Sequence, residues 1–407
     1  MRVCWISVCS RVVAGRSNLF TVHRVASTAL HCLRDVDVPV AIHMESVRDD
    51  RTGHFASEAT AALQSHGFPC RVDASGGQLG VYASRRVRAG ERIAVERPLA
   101  LTVNREVAAH TCATCLADSR DAAQPQSRWT RRCSGCGTQQ YCSEACEAAG
   151  LLRHGGVECE ALAALGDAAD DLKDQVAQAV RIVTDKLAGR SVDAGPAGRV
   201  DYSCYASRLV GVPPRTQEAK ASLSTGVSAT LRALPERARP SAAELTDMLM
   251  RHQCNLYGVT GRAGEDKASA SFVGFFHLFN HACNPNVVFD SASPALAATP
   301  DAAPLYALIA LTDVPEGKEL CISYTSTHDE SKASATERGA HLEEWYGFRC
   351  GCERCLCDDP LRELDFDDAL DELRCERDEC GSGLCVPPEV GAGTRRCVHC
   401  GVAWGDD

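Results

Sequence analysis

The sequence is short of positive charge. Its 407 residues carry 43 Lys and Arg against 54 Asp and Glu, a formal charge of -11. That balance argues against a dedicated nucleic-acid binder, which needs a basic footprint. No stretch of 18 uncharged apolar residues occurs, so no membrane-spanning helix is expected. A secretory start is also missing, because Arg11, Arg16, Arg24 and Arg34 break up the apolar residues near Met1. Nor does a G-x-G-x-x-G follow a strand, which leaves a dinucleotide site without its glycine turn. Apolar residues make up 45%, enough for a sizeable core, and the length suggests two to three domains.

What the chain does have is 24 cysteines. With no secretory start, their close C-x2-C and C-x3-C spacings beside a histidine read as intracellular zinc rather than disulfides. Residues 110–159 hold Cys112-x2-Cys115, Cys133-x2-Cys136, Cys142-x3-Cys146 and His154-x4-Cys159. These eight ligands suffice for two tetrahedral zinc ions, with no position left for water, so the sites read as structural. So polar a segment has no core of its own, and the metal would supply its folding free energy. Tyr141, directly before Cys142, reads as a packing residue.

Patterning divides the rest. Residues 1–69 read as a poorly ordered or targeting leader, and the first 34, with five Arg and no acid, resemble an organelle transit peptide. Short alternating runs over 70–105 predict small strands and turns. A stripe of Leu162, Leu165, Leu172, Val176, Val180, Val183 and Leu187 predicts helix over 160–190. A Gly-, Ser- and Pro-rich loop is expected near 188–215, and helix again over about 217–252. Strand patterning returns at 254–259, 286–290, 305–311 and 319–324. The stretch 291–304 reads as a hairpin excursion, and 361–374 as an acidic helix. No basic import cluster separates nucleus from cytoplasm, so either compartment is expected.

Polar residues crowd the end of an apolar run at Phe279-Asn280-His281-Ala282-Cys283-Asn284-Pro285-Asn286. A turn at 313–320 leads into a strand ending at Tyr324, and Trp345-Tyr346-Gly347-Phe348 precedes Cys350-x-Cys352-x2-Cys355. Three thiolates need a fourth ligand. Cys283 would clip the tail to the Asn-His segment, and Cys357 is the local alternative. In the tail, Cys375-x4-Cys380 and Cys397-x2-Cys400 could make one more zinc site, with Cys385 spare.

The Cys/His order of 110–159 resembles the MYND zinc finger, a protein-binding module. By that resemblance Cys112, Cys115, Cys142 and Cys146 hold one zinc, and Cys133, Cys136, His154 and Cys159 the other. Ala149 or Gly150 stands where an aromatic is frequent. Together with the segments at 70–104, 280–286, 319–324 and 345–355, the whole resembles the SET-domain methyltransferases of the SMYD branch, without their long C-terminal helical domain. The implied fold is α+β: small SET β-sheets split by a double-zinc finger and a helical insert, closed by a zinc-binding post-SET segment. The expected parts are a SET first half (70–109), the finger (110–159), a helical linker and insert (160–253), a SET second half (254–330), a post-SET segment (331–360) and a cysteine-bearing tail (361–407).

The resemblance implies S-adenosylmethionine as methyl donor and a protein lysine as acceptor, with no membrane partner. It implies that Leu79, Gly80, Asn255, Asn280, His281, Tyr346 and Phe348 hold the cofactor. Tyr324 takes the place of the active-site tyrosine, and Cys283, Cys350, Cys352 and Cys355 form a third zinc site. Gln78 stands where the family has a glycine, and Ala282 where it often has serine. Those departures keep a second expectation open, a non-catalytic adaptor that binds partners through the finger.

Overall fold

The protein is described here by a computed structural model covering residues 50–74, 79–120, 131–260, 265–292, 303–325, 333–357, 360–378, 380, 383–388 and 394–404. The transit-like leader, Gln78 with Gly76 and Gly77, and most of the excursion at 291–304 lie outside the described residues. Among the described residues no helix is long and apolar enough to cross a membrane.

The chain first forms helix α1, Asp50–Ser65. This corrects the expectation of a poorly ordered segment up to residue 69. Ala56, Ala59 and Leu63, at i, i+3 and i+7, are buried against the main core, and Thr60 Oγ1 accepts the Val72 N–H at 2.8 Å. Strands β1 (Cys70–Asp73) and β2 (Gly80–Ala83) form an antiparallel pair. Strands β3 (Arg92–Glu96) and β4 (Ala100–Val103) follow.

The chain then leaves the sheets for some 150 residues. The Cys/His block contains β5 (Arg131–Arg132), β6 (Gln140–Tyr141) and α2 (Glu144–His154), capped by the Ser143 side chain. Helices α3 (Val157–Ala163) and α4 (Asp170–Leu187) carry the expected stripe. Gly166, at φ +50°, lies in the turn between them, and Leu187 is exposed rather than buried. The loop expected at 188–215 is partly structured, as β7 (Ser191–Asp193), β8 (Arg199–Asp201) and α5 (Tyr202–Arg208), whose N-terminus Asp201 caps. The second helical stretch is two helices, α6 (Gln217–Ala233) and α7 (Ala242–Cys254), separated at Leu234-Pro235. Their apolar faces and that of α4 form a separate helical core.

Strands β9 (Leu256–Thr260), β10 (Asp266–Ser271), β11 (Val287–Asp290) and β12 (Tyr306–Ala310) complete the sheets. β4 pairs with β10, and β3 with β12, both antiparallel. The two halves of the sheet region are therefore one folding unit, because the sheets β4–β10–β9 and β11–β12–β3 each take strands from both sides of the insert. Helices α8 (Ala335–Tyr346) and α9 (Pro360–Asp371) follow, the second matching the acidic helix read at 361–374. Last comes a small sheet of β13 (Cys385–Val386), β14 (Arg395–Cys397) and β15 (Ala403–Trp404).

One buried carboxylate organises the join. Glu96, at the end of β3, accepts the backbone N–H groups of Val273, Gly274, Phe275 and Phe276 at 2.9, 2.6, 2.7 and 2.9 Å. Gly274 is needed there, since a Cβ would stand 3.0 Å from the Glu96 carboxylate and 2.3 Å from Ala197 Cβ. The turn so held delivers Phe279 and Asn280 to the site.

Candidate active site and metal centres

After the turn, Asn280-His281-Ala282 runs beside residues 320–324. Ile322 N donates to Asn280 O at 2.9 Å, and Ala282 N to Ile322 O at 3.0 Å. Residues 319–324, read as a strand, make isolated bridges rather than a regular ladder. Asn286, to which the sequence reading assigned no role, replaces part of that ladder. Its Oδ1 accepts the Cys321 N–H at 2.8 Å, and its Nδ2 donates to Glu319 O at 2.8 Å.

Asn280 Nδ2 donates to Leu79 O at 3.0 Å and to Glu319 Oε1 at 2.8 Å, so the side chain fastens the Leu79 turn. A Cβ on Gly80 would stand 2.7 Å from Glu319 Oε1 and 3.2 Å from Asn280 Nδ2. Only glycine lets the backbone come this close.

His281 is buried between two groups. The Tyr324 backbone N–H donates to its Nδ1 at 3.0 Å. Its other nitrogen, Nε2, then carries the proton and lies 3.3 Å from Cys283 Sγ, which accepts it. The Tyr324 hydroxyl donates to Phe279 O at 2.9 Å, and the Tyr346 hydroxyl to Tyr324 O at 2.8 Å. The Tyr324 ring centre lies 5.4 Å from His281, 5.3 Å from Tyr346 and 6.2 Å from Phe348. Four rings from three distant stretches thus meet at the exit of residues 319–324. Burial, then the charge of Glu319, pushes the neighbouring Cys321 thiol up to about 12, so Cys321 is not a thiolate nucleophile.

Asn255 follows the end of α7, with Nδ2 on Arg251 O at 2.7 Å and Val210 O at 3.0 Å. Cys254 Sγ lies 3.8 Å from Trp345 O, so the chain carrying Asn255 meets the helix carrying Tyr346. An apolar cleft lined by Val212, Pro214, Leu249, Leu256, Trp345 and Tyr346 opens beside it.

The ligand atoms expected to share a metal come together. Within each of four sets they lie within 4.8 Å of one another: Cys112, Cys115, Cys142 and Cys146; Cys133, Cys136, His154 and Cys159; Cys283, Cys350, Cys352 and Cys355; Cys375, Cys380, Cys397 and Cys400. Cys283, not Cys357, completes the third set. Its Sγ is 3.4 Å from that of Cys355. Two guanidinium groups sit against this set: Arg338 Nη2 at 3.8 Å from Cys355 Sγ, and buried Arg354, which donates to Cys283 O at 3.2 Å. Four thiolates around a dication would carry two negative charges; Arg338 faces them, while Arg354 also pairs with Asp367.

The second set has a built outer layer. His154 Nε2 faces Cys136 Sγ at 3.2 Å, and Nδ1 donates to Glu158 Oε1 at 3.1 Å. Arg181 grips Glu158 through two bonds, at 2.5 and 2.6 Å, and donates to Leu101 O of β4 at 3.1 Å. One hydrogen-bonded chain thus runs from the Cys/His block to the sheets. The missing aromatic near position 150 has a physical reason. A Cβ on Gly150 would stand 2.4 Å from the buried Tyr141 ring, so that ring occupies the space.

A family model described as SET domain matches residues 78–325. That is more than half of the chain, and the chain belongs to the SET-domain family. Within the family it is SMYD-like. It is 27% identical over 307 residues to the histone-lysine N-methyltransferase ASHR2 of Arabidopsis thaliana, covering 70% of this chain and 71% of that one. It is 24% identical over 287 residues to the human histone-lysine N-methyltransferase SMYD3, covering 69% and 59%. It is 29% identical over 167 residues to a SET and MYND domain-containing protein of Dictyostelium discoideum, covering 39% of this chain and 30% of that one. The chain therefore spans less than two thirds of two of these three relatives.

Proposed function

We propose that this protein transfers methyl groups from S-adenosylmethionine to lysine side chains of proteins, histone or non-histone. The observation that carries the reading is the ring cluster of His281, Tyr324, Tyr346 and Phe348, built where residues 280–282 and 320–324 pair inside a SET domain. The residues present fit the cofactor: a bare backbone at Leu79-Gly80, where a Cβ has no room, and a partly apolar aromatic wall. The Leu79-Gly80 backbone, Asn255, Asn280, His281, Tyr346 and Phe348 would hold it. When bound, S-adenosylmethionine supplies a methyl group on a cationic sulfur.

The protein's own residues do the rest by alignment. An attacking lysine must be neutral, although its ordinary pKa is about 10.4. Half-buried rings disfavour the ammonium by desolvation. The Phe279 carbonyl and the Tyr324 hydroxyl oxygen offer acceptors for the amine's N–H, which points its lone pair. Fixed acceptors of this kind stabilise the transition state without reorganising.

Zinc at the first three ligand sets would be structural, since every position is Cys or His. Removing the negative charge behind His154 tests the second site. Glu158→Gln is expected to weaken zinc there by roughly 10- to 100-fold, read by chelator competition. Unchanged zinc retention would mean that Glu158 does not orient the histidine.

A second reading, a partner-binding adaptor, is favoured by Leu151 and Leu152 on α2, which are 41% and 79% exposed. The two readings separate on purified protein given labelled S-adenosylmethionine and a whole lysate. Label on protein lysines, with cofactor binding seen by calorimetry, supports the enzyme. Partner capture lost in a Cys133 variant, with neither cofactor binding nor label, supports the adaptor.

A further inference from the structure

The tail cysteines have no part in the chemistry above. We propose that Cys375, Cys380, Cys397 and Cys400 bind a fourth zinc ion, and that this ion folds the ribbon β13–β15 and fastens it to the outer face of the sheet β11–β12–β3.

The donor set fits. Cys375 and Cys400 Sγ are 3.7 Å apart, as are Cys380 and Cys397 Sγ. A tetrahedron with Zn–S bonds of about 2.3 Å has edges of about 3.8 Å. A disulfide would need about 2.05 Å. All four thiols are buried. The backbone N–H groups of His399 and Cys400 point at Cys397 Sγ, at 3.4 and 3.5 Å, where they favour a thiolate. A Cβ on Gly383 would stand 2.2 Å from Cys397 Sγ and 2.9 Å from Cys380 Sγ, so the turn closes on the sulfurs themselves. The same device appears at Gly135, whose Cβ would meet Cys159 Sγ at 2.5 Å in the second ligand set.

The ribbon needs such a staple. Its strands are two, three and two residues long, and the cluster at its centre is five cysteines with Val402 packed on them. So small a sheet is not stable by itself, whereas a structural metal supplies folding free energy directly.

The ligand loop is also the docking surface. Val398 and His399 lie between the ligands Cys397 and Cys400. Val398, Leu384 and Val386 pack on Val95, Ala307, Ile309 and Leu311 of the SET sheet. Val398 O accepts the N–H groups of Ser291 and Ala292 at 3.1 and 2.9 Å, and Thr260 Oγ1 donates to His399 O at 2.7 Å. Arg396 grips Asp290 of β11 through two bonds, at 3.0 and 2.7 Å. At the other edge, Gly90 (φ +85°) would bring a Cβ within 2.7 Å of Pro387 O, so the ribbon covers the turn before β3. Losing the metal would loosen the loop that makes these contacts.

Zinc counting by native mass spectrometry on the purified full chain tests this without reference to methyl transfer. One ion is expected at each of the four sets, hence four per chain. Cys375→Ser/Cys400→Ser is expected to lose one ion, and Cys385→Ser none. Should the double variant fail to fold, alkylation mapping of the wild-type chain before and after chelator decides the matter. The four tail cysteines should become reactive only once zinc is removed. The proposal is overturned if the double variant keeps all the zinc of the wild type, or if the tail thiols alkylate equally without chelator. Recovery of tail disulfides, or of iron in place of zinc, overturns it too. A shortfall at another set would appear as early alkylation of that set's cysteines, which keeps the proposals distinguishable.

Discussion

Tyr324→Phe is expected to lower methyl transfer by roughly 10²- to 10³-fold, the cost of removing one oriented polar group from a transition state. The variant should remain folded and keep its zinc. The hydroxyl donates a hydrogen bond to Phe279 O at 2.9 Å. Such a bond contributes about 1 kcal/mol to stability. The ring itself stays, and with it the contacts to His281, Tyr346 and Phe348. The link towards the third ligand set runs through the Tyr324 backbone N–H and His281, not through the hydroxyl. Activity, metal content and melting temperature measured on one preparation separate the effects. Full activity in the variant would remove Tyr324 from the chemistry. Lost activity together with lost zinc would mean that the substitution disturbs the fold instead.

Much of the site is legible in the chain because its chemistry is concentrated. Paired cysteines point to a metal through spacing alone, and the structure brings the sixteen expected ligand residues together in four sets that could each hold an ion. Cys283 shows the same logic at long range: three thiolates at 350–355 call for a fourth ligand, and the structure brings Cys283 from 67 residues before Cys350. The segment at 280–286 stands out because polar residues end an apolar run. What spacing does not carry is pairing across the insert. Nothing local in Arg92–Glu96 announces β12 as its partner. Helix α1 is obscure for another reason. Its buried residues are mainly alanines with one leucine, a weak stripe among polar neighbours. Asn286 is missed because an asparagine in a turn has an ordinary explanation, and its two bonds to residues 319–321 exist only in three dimensions. Strand β10 is hidden because Ala and Ser, not β-branched residues, fill its buried positions.

Glu96→Gln is expected to destabilise the folded protein by about 2–6 kcal/mol, the cost of leaving two buried N–H groups without an acceptor. Glu96 is wholly buried, and its two carboxylate oxygens accept four backbone N–H groups, two each. Burial holds the Glu96 carboxyl above its ordinary value, and those four donors offset part of that rise. A proton on either oxygen would face an N–H, so the geometry asks for the ionised form. Glutamine keeps one acceptor oxygen and turns an amide group towards the other two donors. Two buried N–H groups then lose their partner and meet a donor instead. The consequence travels to the site, because residues 273–276 lead straight into Phe279, whose carbonyl holds the Tyr324 hydroxyl. Urea unfolding should show the lower midpoint, and methyl transfer should fall with it. A glutamine variant as stable as the wild type would mean that the turn is held by the packing of Phe272, Phe275 and Phe276 in the main core, with the carboxylate dispensable.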